Sequence, residues 1–426
     1  MRRGIRGTLA TALVAGLALA ASGCGSGGDG GGAAGGELSG TVTFWDTSND
    51  AEKATYRKLA EGFQKEHPKV HVAYVNVPFG DANAKFKNAA GGGDGAGAPD
   101  VMRTDVAWVA DFANLGYLAP LDGTPALDDT GDYLPQAVGS TRFHGKTYAA
   151  PQVIDTLALF YNKKLLEDAG VPVPKTFAEL GAAARKIKAK TGATALYLRG
   201  DDPYWFLPYL YGEGGDMVDA AHKKVTVDNA AGVRAFRTIK QLVESKAAVT
   251  DATDGQENQL KALKDGTVAM AVDGPWDIEG ARAGKAFQDK GNLGVAPVPG
   301  GSTAQGAPQG GWDLSVYAGS KNLRAAYAFV KYMSSAQVQR ETTDKLSLLP
   351  TRTSVYNDPA VKRNEMVAFF KPAVDRAVQR PWIAEGNSLF EPLKVQMNKV
   401  LTGAATPEQA AKAVGDAYRK LLKDYT

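Results

Sequence analysis

The chain of 426 residues sets 49 lysines and arginines against 46 aspartates and glutamates, is 44% hydrophobic, and has four histidines and one cysteine. This near-balance, with no basic run interleaved with aromatics, argues against nucleic acid, whose phosphates demand a concentrated basic face. One cysteine rules out an internal disulfide, and the length allows about two or three domains held by burial.

In chain order, Arg2, Arg3 and Arg6 precede an apolar run from Thr8 to Ala21, too short for a bilayer span of roughly 20 residues. Residues 1–23 therefore read as a signal peptide. Three basic residues leave with it, so the remainder matches the 46 acidic ones. Leu19-Ala20-Ala21-Ser22-Gly23-Cys24 resembles a bacterial lipobox. The resemblance implies cleavage before Cys24, a diacylglycerol on its thiol, and anchoring at the extracellular face of the cell membrane; an ordinary signal peptide with an incidental cysteine is the alternative. Residues 24–39 are a tether, since Gly25 to Gly36 is nearly all glycine, serine and alanine, a coil reaching roughly 20 Å.

The body opens with a β-rich run, Gly40 to Trp45, then Asn49-Asp50 as a cap before an amphipathic helix to His67. Pro68 to Val75 alternates as a strand, Gly91 to Ala98 is a loop, Pro99 to Met102 restarts a strand, and Trp108 to Leu115 is helical up to Gly116. This order predicts an α/β lobe with a largely parallel sheet. The alternation resumes at Thr156 to Tyr161 and continues through helices at Phe177 to Lys190 and Ala230 to Ser245 to a strand at Val268 to Val272, which predicts a second lobe. Pro297 to Gly301 and Leu348 to Pro350 are breaks where the chain could recross, and Pro407 to Tyr425 is a closing helix.

All six tryptophans, at 45, 108, 205, 276, 312 and 382, fall at element ends rather than inside helical stripes. A sugar offers a C–H face to an aromatic plane and a rim of hydroxyls to acceptors. Carboxylates accept strongly, at about 1.5–3 kcal/mol against about 0.5–1.5 for neutral partners. Tryptophan close to aspartate recurs in Asp105 with Trp108, Asp202-Pro203-Tyr204-Trp205, Trp276-Asp277, and Trp312-Asp313. Trp45 reads as core, and Trp205 is expected to pack behind Tyr204. The histidines, His67, His71, His144 and His222, lack metal-ligand spacing, and no phosphate-cradling Gly-x-x-x-x-Gly-Lys-[ST] occurs. No metal or cofactor is expected.

Pro99-Asp100-Val101, Gly116 to Leu121, Phe160 to Leu166, Pro174 to Phe177, and Ala269 to Trp276 resemble, in order, the extracellular solute-binding proteins of the maltose-binding type. The resemblance implies a two-lobe periplasmic-binding-protein-like α/β fold with a multi-segment hinge, the N-terminal lobe from 40–153 and 305–350, the C-terminal lobe from 154–304 and 351–426. It implies a monomer that closes on an oligosaccharide and delivers it to the permease and ATPase of an ABC importer.

Asp155 matches the family's hinge carboxylate, Asp202 and Tyr204 its acid-Pro-Tyr motif, and Trp276 its stacking tryptophan. Gly311 and Trp312 resemble a ligand-facing Gly-Gly-Trp, and Asn49 and Asp50 fall where polar contacts begin. Arg103, Asp105 and Trp108 stand on the first lobe in an arrangement of their own, while Arg380 and Phe390 lie near a sugar-binding arginine and a C-terminal aromatic platform. A maltose or maltodextrin ligand is expected first, trehalose or another oligosaccharide next. A glycoside hydrolase using Asp155 and Asp202 as its acid pair is the enzymatic alternative.

Overall fold

The computed structural model describes residues 37–93, 95 and 97–426. The signal peptide, Cys24 and the tether up to Gly36 lie outside the described residues. In chain order the main strands are β1 (Gly40–Asp46), β2 (Val70–Asn76), β3 (Val101–Asp105), β4 (Ala149–Thr156), β5 (Ala158–Asn162), β6 (Thr194–Arg199), β7 (Ala248–Asp251), β8 (Val268–Asp273), β9 (Leu293–Pro297), β10 (Ala307–Val316) and β11 (Ala377–Val378).

They form two sheets. The first has the order β11-β10-β3-β1-β2, with β4 also paired to β10; the second has the order β7-β6-β8-β5-β9. Neither is wholly parallel. The β1–β2 and β1–β3 pairs are parallel, but β10 runs antiparallel to β3 and β4. In the second sheet β6 pairs in parallel with β7 and β8, while β5 runs antiparallel to β8 and β9. The expectation of largely parallel sheets therefore holds only for the strand–helix–strand runs: β5 and β10 enter from the other sheet, with no crossover helix to set a parallel direction.

Local chemistry explains the helices. Tyr56, Leu59, Ala60 and Phe63 form the buried stripe of helix Lys53–Glu66, with the spacing of an amphipathic helix. Phe63 and Phe44 of β1 meet Phe329 at 5.2 and 5.0 Å between ring centroids. In the second body, Thr176 caps Phe177–Thr191 through Glu179 N, and the helix stops at Gly192 in the left-handed region. The closing helix, Pro407–Leu421, begins with a capping box between Thr406 and Gln409 and ends short of the predicted Tyr425.

The chain passes between sheets repeatedly. Only Leu157 separates β4 from β5, and β9 is followed by β10 in the other sheet. The expected boundary at residue 153 falls inside β4, and β11, from the stretch expected in the second lobe, pairs with Ala307 and Pro308 of β10. The loops after β1, β3, β6 and β8 carry Asn49, Asp50, Trp108, Asp202, Tyr204 and Trp276, at the strand ends where open α/β sheets receive ligands. Among the described residues no helix is long and apolar enough to cross a membrane.

Candidate functional site

After β1 the chain turns into helix Lys53–Glu66, and Asn49 makes the turn: its Oδ1 accepts from the backbone N–H groups of Ala51 and Glu52 at 2.9 and 3.0 Å. Asp50 is exposed and pairs with Lys53 at 2.6 Å. Both expected contacts are thus engaged in starting a helix. The carboxylate turned inward is Glu52, 6% exposed, with Oε2 3.4 Å from Nη1 of Arg103.

Arg103, at the middle of β3, has no exposed surface. It donates to Gln152 Oε1 at 2.9 Å and Tyr56 Oη at 3.2 Å, and its guanidinium lies 4.5 Å from the Tyr56 ring and 4.4 Å from the Trp312 ring. It therefore supports Trp312 from behind. Burial raises the pKa of Glu52; Arg103 opposes that rise, whereas Asp46 and Asp277 add to it. Trp312 meets Trp108 and Phe79 edge-on, at 6.3 and 5.6 Å, while Phe79 stacks on Trp108 at 5.2 Å with 14° between planes. Trp108 is only 4% exposed and Phe79 is 52% exposed. The face expected of Trp108 is therefore covered by Phe79.

Asp155 on β4 lies opposite Gly310 on β10. A Cβ at Gly310 would sit 2.1 Å from Asp155 Oδ1 and 2.7 Å from Tyr204 Oη, and Gly311, at φ +133°, would place one 2.1 Å from the carbonyl of Val153. The glycine pair lets a carboxyl from one body and a phenol from the other converge on one strand. Burial and the nearby Asp105 push Asp155 up to about 7, against Arg380 and Arg103. Asp105 Oδ1 accepts from Ala107 N at 2.8 Å and stands 3.9 Å from Arg380 Nη2. Burial raises its pKa, with Arg380 the main opposing charge and Asp202 adding to the rise.

The facing wall comes from the second body. Asp202 accepts from Tyr204 N at 2.9 Å, so it caps the turn Pro203–Phe206 that presents Tyr204. Tyr204 Oη donates to the carbonyl of Pro308 at 3.0 Å. The Arg380 guanidinium lies 5.3 Å from the Tyr204 ring, 5.3 Å from that of Trp382 and 6.0 Å from that of Phe390. Trp205 packs behind Tyr204 as expected: it is 7% exposed, donates through Nε1 to Val272 O at 2.7 Å, and lies 4.0 Å from the Arg199 guanidinium. Half-buried Trp276 rests edge-on against it at 6.2 Å.

Behind Trp276 lie two buried acids. Asp273 accepts from Gln259 Nε2 at 2.8 Å and Asp277 from Gln256 Nε2 at 3.2 Å. Burial raises the pKa of both, and for Asp273 the neighbouring Asp277 adds to the rise. A cavity of about 440 Å³, lined by Asp216, Asn229, Gln379 and Pro381 among others, opens beside Arg380.

The structure thus brings Asp105, Asp155, Tyr204, Arg380 and Phe390 together, with Asp202 close by, Gly311 and Trp312 on one side and Trp276 on the other. It does not bring Asn49 or Asp50 into that group, and it places Arg103 and Trp108 beneath the surface. Sequence reading missed Glu52 and Phe79, while Asp277 stands beside Trp276 as one of the expected tryptophan–aspartate pairs. Glu52 follows Asn49 by three residues and so stood next to a residue already singled out; Phe79, after Pro78, carried no signal beyond a helix start.

A model of the family described as bacterial extracellular solute-binding protein matches residues 19–340. The maltotriose-binding protein of Pyrococcus abyssi is 27% identical over 80% of this chain and 73% of its own length. The maltooligosaccharide ABC transporter solute-binding lipoprotein of Streptococcus pneumoniae serotype 4 is 25% identical over 97% of this chain and 96% of its own length. Among solved structures, the GacH receptor of Streptomyces glaucescens, determined unliganded and with acarbose and an acarbose homolog, matches with a TM-score of 0.89 and 74% identity, covering 92% of this chain and 100% of the receptor.

Proposed function

Because the chain belongs to the bacterial extracellular solute-binding proteins, we propose that it is the substrate-binding component of an ABC importer and grips a maltodextrin-type oligosaccharide between its two sheet-centred bodies. The observation that carries this reading is the convergence of both bodies on one place: Asp105 at the end of β3 stands 3.9 Å from Arg380, whose guanidinium also covers Tyr204 and Phe390. A ligand touching both walls binds the closed arrangement better than an open one, and so shifts the population toward closure. The hinge is formed by the passages at Leu157 and between β9 and β10, with β11 beside them. With the first passage at Leu157, the lobes divide as 40–156 with 305–350 and 158–304 with 351–426, apart from β11, which joins the first sheet.

Phe79, Trp276 and Tyr204 offer planes for the C–H faces of the sugar; Glu52, Asp105, Asp155 and Asp202 accept from hydroxyls; Arg380 donates. The cavity beside Arg380 has room for a further sugar unit of a longer chain. A second ligand reading is acarbose or a relative of it, favoured by the 74% identity to the acarbose-binding receptor. The protein acts as a monomer, performs no catalysis, and is held at the outer face of the cell membrane by a lipid on Cys24, presenting its closed form to the permease.

Calorimetry against maltose, maltotriose, maltotetraose, trehalose and acarbose, with the maltotriose mixture then assayed for shorter sugars, tests this. Stoichiometric binding without products is expected. Turnover abolished in Asp202→Asn would establish a glycoside hydrolase instead, for which Asp155, held protonated to about pH 7 by burial, would be the candidate acid. Loss of fatty-acid labelling in Cys24→Ala checks the anchor.

A further inference from the structure

Among the described phenylalanines, tyrosines and tryptophans, Phe79 alone is exposed, at 52%. It is the first residue of helix Phe79–Gly91, directly after Pro78, beyond the end of β2 and on the same side of the first sheet as the aromatic and acidic residues that follow β3. One face of its ring is spoken for: it stacks on Trp108 at 5.2 Å and 14°. Its edge contact to Trp312 at 5.6 Å and 84° fixes the ring against rotation. Trp312 in turn rests over Arg103 at 4.4 Å, and Arg103 over Tyr56 at 4.5 Å. The ring is therefore the solvent-facing end of a column of planes reaching the core of the first body.

Next to it the approach is open. A Cβ added to Gly80 would meet no atom within 4 Å. Trp108 has no such access, being 4% exposed with its plane under Phe79.

We infer that Phe79, and not Trp108, is the plane on which the first body receives a pyranose ring of the oligosaccharide. Stacking of a C–H face needs an aromatic face that is uncovered and already oriented, because a ring immobilised before the ligand arrives loses no rotamer freedom on binding. Phe79 meets both conditions, whereas Trp108 meets only the second and serves as the rigid backing that holds Phe79 flat. The inference rests on the sugar-binding reading above.

Calorimetry of the full-length protein with maltotriose tests it, comparing the unaltered chain with Phe79→Ala, Phe79→Leu and Phe79→Trp. Loss of the plane raises Kd roughly three- to tenfold in Phe79→Ala and Phe79→Leu, and Phe79→Trp stays within about threefold of the unaltered chain. Melting temperatures are expected to move little, since the side chain is already half in water; if Phe79→Ala does not fold, Phe79→Leu, which keeps apolar bulk without a plane, decides. Maltotriose affinity in the leucine variant within about twofold of the unaltered chain overturns the role of Phe79 while leaving the sugar-binding function standing. If the unaltered chain binds neither maltotriose nor any other sugar of the panel, the functional reading falls and this inference falls with it.

Discussion

In the first body the Trp312 ring lies 4.4 Å from the guanidinium of Arg103, and in the second the Trp205 ring lies 4.0 Å from that of Arg199. Both arginines come from strands and both are buried. Their countercharges differ. Arg199 is held bidentately by Asp201, two residues along its own chain, at 2.6 and 2.9 Å. Arg103 is matched by Glu52 from another element at 3.4 Å, a looser pairing. The second joint is closed on itself and its tryptophan is a backing; Trp276, edge-on against it, is the plane proposed to meet the ligand. The first joint is continuous with the site, so its arginine, its carboxylate and its aromatic column act together. A buried cation under an indole is thus a structural support whose consequence for binding depends on where its countercharge comes from.

The largest expected effect breaks that comparison directly. Arg103→Ala leaves Glu52 buried and unpaired, a change that costs about 3–5 kcal/mol, to be read from urea unfolding. Arg199→Ala is expected to cost less, since the Asp201 side chain is 17% exposed and can be solvated. Equal losses in the two variants would erase the distinction between the joints.

Trp276→Ala is expected to weaken oligosaccharide binding about tenfold, in line with about 0.5–1.5 kcal/mol of stacking beyond area burial, measured by calorimetry. Unchanged affinity would remove Trp276 from the site and leave the second wall to Tyr204.

A smaller effect sharpens the comparison through pH. Asp313, 1% exposed beside Ser140 Oγ at 3.0 Å, is pushed up to about 8 by burial, and Asp155 to about 7. Their folded pKa values exceed the unfolded one of about 3.9, so the native chain holds protons that the unfolded chain has released. The stability linked to them is fully present below about pH 4 and is lost as pH rises through the folded values. Asp313→Asn should therefore gain melting temperature relative to the unaltered chain as pH is raised from 5 to 9. A constant difference across that range would mean that Asp313 does not titrate with folding, and that the alkaline limit is set elsewhere.

How far the site could be read in advance depended on where each contact comes from in the chain. Asp202-Pro203-Tyr204 and Gly310-Gly311-Trp312 are local devices, a turn cap and a close approach, and their chemistry is visible in adjacent letters. Asn49 and Asp50 carry two readings, a helix cap from their own letters and ligand contacts from the family resemblance, and it is the turn that claims Asn49, since a side chain that can bond its own backbone does so. Trp108 was read as a platform because nothing within its own segment announces that Phe79, 29 positions earlier, will cover it. Likewise Glu52 became a site residue only when Arg103 came to face it from β3.

The amino-acid order alone settles the alternation of strands and helices, the helix caps and the glycines before Trp312, since these rest on periodicity and on neighbours within a few residues, and its likeness along most of its length to the extracellular solute-binding proteins gives the family. Tertiary packing decides which aromatic face meets solvent, which carboxylates keep their protons and which strands turn antiparallel. Each of those depends on residues brought together from distant segments, and burial and the local field are properties of that assembly rather than of any stretch of chain.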